Sequence, residues 1–142
     1  MEFRRNRDYR ATSDTLYEAE RSTTVYSGNP VNWVGKVGLM YPSDYGYAAL
    51  ASSCARTYQL ESYASTSCVS SNWLKTDSSQ WLLAPRSSSS SIVFHVNHVG
   101  NTRDDFSAHF SFGVRPTVYL KSNIAVMGGT GTYSDPYIIS AS

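Results

Sequence analysis

Three histidines, His95, His98 and His109, share a stretch with Asp104 and Asp105, just after the serine run Ser87–Ser91. These residue types could assemble a Ser-His-Asp relay, in which the imidazole takes the hydroxyl proton and the carboxylate orients the ring. A nucleophilic serine needs a strained elbow that presents its oxygen, and no G-x-S-x-G run occurs. In a chain this rich in serine, composition alone accounts for the co-occurrence. The histidines lack the H-E-x-x-H spacing that sets two ring nitrogens on one helix face for zinc, and His95 and His98 could share a site only if the chain bent between them. Adjacent carboxylates on a strand point to opposite faces, and the loop of oxygen ligands used by calcium is missing around Asp104 and Asp105. A solvated turn is their expected setting. No metal and no cofactor is expected, and the chain reads as non-enzymatic, with an enzyme of unassigned reaction as the remotest alternative.

Cys54 and Cys68 are separated by a polar loop of Ser, Thr and Tyr. A disulfide is the expected reading, with two separate buried thiols as the alternative. In the chain-entropy account, closing a loop of about 15 residues stabilises the fold by roughly 3 kcal/mol. The spacing is not that of a zinc ribbon, and no histidine is near.

Composition narrows the partners. The chain has 142 residues, enough for one domain with its own core. Charged residues are only 16 % and the formal net charge is +1, so there is no basic field to hold nucleic acid or an anionic membrane. Lysine occurs only at Lys36, Lys75 and Lys121, and the polar positions are mostly Tyr, Ser, Thr, Asn and Gly. No run approaches the roughly 20 apolar residues of a membrane span, and Met1–Arg7 lacks an apolar signal core. Direct membrane insertion is not expected.

The elements that must position these side chains are short. Residues 1–22 hold much of the charge and read as a peripheral segment, either with a short helix over Leu16–Arg21 capped by Ser13 or Asp14 or disordered. Residues 23–142 read as the domain. Thr23–Tyr26 and Lys36–Tyr41 suggest strands, and Asp44–Ala51 a turn into a short helix. Beyond Trp73 come strand-like pieces at Gln80–Ala84, Ile92–Val99, Phe106–Phe112, Val114–Lys121, Ile124–Met127 and Tyr137–Ser140. Gly100-Asn101 signals a hairpin from Ile92 to Phe112. Alternation puts Ile92, Phe94 and Val96 on one face with His95 and Asn97 on the other, and on the return strand sets Phe106, Ala108, Phe110 and Phe112 against Ser107, His109 and Ser111. One apolar and one mixed polar face are therefore expected.

Three motifs give these pieces a frame: Gly113-Val114-Arg115-Pro116-Thr117-Val118-Tyr119-Leu120 following Trp73-Leu74 and Trp81-Leu82, Gly38–Ala48 upstream, and Gly129–Tyr137 at the end. Together, over about residues 24–139, they resemble a bacterial or phage surface-protein domain of C-type-lectin-like fold, related to the formylglycine-generating-enzyme-like and retroelement variable-protein branch. The resemblance implies an α+β fold of mostly short antiparallel strands with one or two short helices. It also implies an export signal or prepilin-like helix upstream, and hence a cell-surface, extracellular or virion setting. Formylglycine-generating oxidases hold copper with a cysteine pair late in the domain, whereas Cys54 and Cys68 both precede Trp73. Calcium-dependent lectins carry E-P-N or Q-P-D triplets, and this chain has none. Neither chemistry is expected here.

Trp73, Trp81, Arg115 and Pro116 are read as structural: the tryptophans as core or sheet anchors, Arg115 as a bidentate tie, and Pro116 as a helix block ahead of a packed strand of Val114, Val118 and Leu120. The serine loop and the polar hairpin face form the candidate ligand surface: Arg86, Ser88, Ser90, His95, Asn97, Arg103, Asp104, Asp105 and His109. Small hydroxyls there give adaptable hydrogen bonding. The expected function is an extracellular recognition or display module for a protein or glycan surface. The alternative is a self-assembling structural subunit of a pilus or phage particle.

Overall fold

A computed structural model describes residues 11–21, 34–51, 54–55, 58–86, 89–132 and 134–141. Helix α1 spans Ser13–Glu20, and its cap is Thr12, whose hydroxyl accepts the Thr15 amide at 3.3 Å. Ser13 and Asp14, the expected caps, lie inside the helix because Thr12 is the last residue with extended backbone. Helix α2, Pro42–Tyr47, starts on a proline that needs no amide partner, and Asp44 turns back to accept the Tyr41 amide at 2.8 Å. It begins earlier than expected for this reason. The two helices pack on each other at Gly46, where a Cβ would collide with the Ser13 side chain. Residues 11–21 are therefore not peripheral, since α1 sends Leu16 into the core at 5 % exposure. Residues 1–10 and the expected strand Thr23–Tyr26 lie outside the described residues.

The strands form three separate antiparallel units. Strands β2, Gln80–Pro85, β3, Ile92–Val96, and β4, Thr102–Ser107, make the central sheet in the order β2-β3-β4. Trp81 pairs with His95, His95 with Arg103, and Val96 with Thr102. The β3–β4 hairpin is present as expected, and its turn uses Gly100 at φ 100°, a conformation open chiefly to glycine. A two-residue ribbon pairs β1, Gly38–Leu39, with β5, Pro116–Thr117. The last two strands, β6, Ile124–Gly128, and β7, Ile138–Ala141, pair with each other.

Three expectations about these strands are corrected. Phe106–Phe112 is not one strand: β4 ends at Ser107, where Ala108 donates to Ser91 at 2.8 Å and Phe110 to Ser107 at 3.1 Å, turning the chain back. Asp104 and Asp105 lie within β4 rather than on a solvated turn. The strand after Arg115 is reduced to β5, and Val114, Val118 and Leu120 are 56–62 % exposed rather than packed. Pro116 withholds a ladder amide, so the pairing with β1 does not spread.

The core sits between α1, α2, the disulfide loop and one face of the central sheet: Leu16, Met40, Tyr45, Ala48, Ala49, Cys54, Leu60, Tyr63, Cys68, Leu74, Leu82, Phe94 and Val96. Its two largest side chains keep their hydroxyls satisfied, Tyr45 donating to the Gly100 carbonyl at 2.8 Å and Tyr63 to that of Gly46 at 3.3 Å. Asn72, also buried, donates to the Tyr45 carbonyl at 2.7 Å and accepts from Leu74 at 2.9 Å. Cys54 and Cys68 are joined by a disulfide, as expected. Trp73 is 63 % exposed and anchors no core, because its neighbour Leu74 takes the inward position. The result is a small mixed α+β domain of antiparallel sheets with few helices.

Candidate recognition site

The two faces of the central sheet are used differently. One carries Leu82, Phe94 and Val96 into the core. The other, led by the paired Trp81 and His95, would stand open if the chain ran straight on from β4. It does not. The turn at 108–111 brings Phe112 back over the sheet, and Gly113 locks the return by donating to Ser79 at 2.8 Å and accepting from Trp81 at 2.9 Å. A Cβ on Gly113 would stand 3.2 Å from the Ser79 carbonyl oxygen, so the close backbone approach favours glycine.

An aromatic cluster results. His95 lies 6.0 Å from the Trp81 ring, 5.3 Å from Phe106 and 5.0 Å from Phe112. Phe106 in turn meets Phe110 edge-on at 4.9 Å, and His109 stacks on Phe110 at 4.8 Å. The inner rings are covered, while Phe106 and Phe110 remain 36 % and 45 % exposed. The cluster thus has a fixed base and an open outer edge.

The expectation that His95 and Asp104 stand on an open polar face is corrected, as both are only 1 % exposed. His95 is covered by the returning Phe112. Burial lowers its pKa, an effect that Arg103 reinforces and Asp105 opposes. Its Nε2 is 3.7 Å from Asp105 Oδ1, and its Nδ1 has no hydrogen-bond partner among the described residues. Asp104 points to the core face, where Arg86 reaches its Oδ2 at 3.5 Å and its carbonyl at 3.3 Å.

The other expected ligand residues divide. Asn97 shapes the hairpin turn, its Oδ1 accepting the amides of Gly100 at 3.1 Å and Asn101 at 3.0 Å. Arg103 ties β4 to the disulfide loop through the Glu61 carbonyl at 3.0 Å and the Glu61 carboxylate at 3.8 Å. Asp105, Ser90 and His109 are exposed, and Asp105 and His109 border the aromatic edge. Ser88 lies outside the described residues. Arg115 donates through Nε to Gln80 Oε1 at 3.2 Å, a single bond rather than the expected bidentate one. The residues missed were Phe106 and Phe110, because continuous alternation through 112 assigned them to a packed face. The available signal was Gly113, which marks a close approach and a returning chain.

No group of His, Cys, Asp or Glu among the described residues is placed to hold a metal ion. No helix among them is long and apolar enough to cross a membrane. No family model matches the chain, and neither a curated protein nor a solved structure does so.

Proposed function

We propose that the protein is a non-enzymatic recognition module of C-type-lectin-like architecture that works outside the cell and binds a protein or glycan surface. The observation that carries this reading is the open edge of the aromatic cluster. Phe106 and Phe110 stay partly exposed beside Asp105 and His109, while His95 and Phe112 pack against Phe106 from beneath. Rigid aromatics give contact area at small entropic cost, and the flanking polar groups orient a ligand. The lectin-like architecture rests on the GVRP and paired-tryptophan motifs, and the α+β arrangement is compatible with it. The disulfide supports an oxidising compartment.

The test is a glycan and surface-protein array with the purified chain, using Phe106→Ala/Phe110→Ala and Asp105→Asn as controls. These positions are exposed, so the variants should keep the wild-type fold and lose the hit. A hit that survives both changes sinks this placement. Alanine at His95, Asn97 and Arg103 makes a poor control, because the three hold the cluster base, the turn and the tie to Glu61.

A second reading, a self-assembling pilus or virion subunit, is favoured by β6 and β7, where Val126, Met127, Ile138 and Ile139 are 48–68 % exposed. Exposed apolar strands of this kind mark contact surfaces. Concentration-dependent sedimentation, abolished by Val126→Asp with Ile139→Asp, would select this reading. A monomer at all concentrations would remove it.

A further inference from the structure

The aromatic edge owes its composition to a bulge in β4. Val93 pairs with Phe106 and His95 with Arg103, so Asp104 and Asp105 together stand opposite Phe94 alone. In an unbroken strand successive side chains leave by opposite faces, which would set Asp105 and Phe106 on different sides of the sheet. The extra residue undoes that alternation. Asp104 takes the core face, while Asp105 and Phe106 meet on the other: Asp105 Oδ1 is 3.7 Å from His95 Nε2, and the Phe106 ring lies 5.3 Å from the same imidazole. The Asp105 side chain is 59 % exposed, and Phe106 with its neighbour Phe110 is partly open too. A carboxylate and two aromatic rings thus reach solvent from one face.

The charges around this edge cancel in pairs, except at Asp105. Arg86 reaches Asp104, and Arg103 turns away to Glu61. His95, the ion-pair contact of Asp105 among the described residues, is buried, and burial favours its neutral ring. A ligand that brings a positive charge would therefore complete the edge, and one with an apolar stem would also cover the rings. A sugar hydroxyl could bond the carboxylate but would leave its charge unbalanced. We propose that this edge is a socket for a lysine or arginine side chain of a partner protein, its charged head at Asp105 and its aliphatic stem along Phe106 and Phe110, an inference that rests on the recognition role given to the edge above. It selects a protein surface over a glycan. The bulge is the device that makes the socket, since it sets the charge beside the rings.

The experiment is an NMR chemical-shift titration of the full chain with Nα-acetyl-lysine amide and Nα-acetyl-arginine amide, carried to tens of millimolar so that weak binding registers. Nα-acetyl-norleucine amide is the neutral control, and methyl glycosides form the saccharide arm. The cationic amides should shift the backbone signals of Asp105, Phe106 and Phe110, and the norleucine amide should bind about five-fold more weakly. Asp105→Asn should lose about the same factor and Asp105→Glu should restore it. Should Asp105→Asn not fold, added salt gives the second measurement, since it should weaken the lysine amide and leave the norleucine amide unaffected. Equal binding of the lysine and norleucine amides, unchanged binding by Asp105→Asn, or no shift with either cationic amide overturns the socket. Glycosides that shift these signals where the cationic amides do not overturn it too, yet leave the recognition reading standing. That reading falls separately, on array hits that survive Phe106→Ala/Phe110→Ala and Asp105→Asn.

Discussion

The Tyr45 hydroxyl donates to the Gly100 carbonyl at 2.8 Å across 55 residues of sequence, tying α2 to the tip of the β3–β4 hairpin. The bond is buried, and it fixes the hairpin that carries the aromatic cluster to the helix that receives α1. Removing the hydroxyl leaves a buried carbonyl unpaired. Tyr45→Phe should therefore cost about 1–3 kcal/mol in chemical denaturation, with the array hits of the folded protein retained. Gly100→Ala should cost more than Tyr45→Phe, because its φ of 100° disfavours a side chain and a Cβ would run into Val69. Equal or smaller losses would mean that the hairpin tip is free to shift.

Opening the Cys54–Cys68 disulfide should lower stability by roughly 3 kcal/mol, read as the unfolding midpoint of the Cys54→Ser/Cys68→Ser variant. Intact mass before and after reductant gives the oxidation state directly. The cysteines lie beside Tyr63 in the core, so the loss should appear as global destabilisation rather than as local fraying of the loop.

Below about pH 6.5 the wild type should lose stability as His95 is forced to accept a proton. The sign follows from burial lowering its pKa: the fold prefers the neutral ring, so stabilisation is complete above the ordinary histidine value and is lost as pH falls beneath it. His95→Gln should remove this component. A wild-type acid limb that survives unchanged in the variant would assign the loss to other groups.

The tryptophans should separate cleanly. Trp73→Ala should change stability by less than about 0.5 kcal/mol, as expected of an exposed site. Trp81→Ala removes a ring packed 4.6 Å from Phe112 and should cost about 2 kcal/mol or more. It should also weaken any ligand held at Phe106 and Phe110, because the base of the cluster goes with it.

Local pattern determined a good deal of this protein. Alternation in Ile92–Val96 and the glycine at 100 announced the central hairpin, and the cysteine spacing announced the disulfide. Those features depend on residues near one another in the chain, where period and turn chemistry act. Only the tertiary structure decided which face His95 shares, since alternation names two faces of a strand without saying what will cover either. The turn after Ser107 and the lock at Gly113 return Phe112 over that face, burying His95 and leaving Phe106 and Phe110 at the edge. The setting of Glu20 is of the same kind: Ser43, 23 residues away, brings an amide and a hydroxyl to a carboxylate that also meets Arg21.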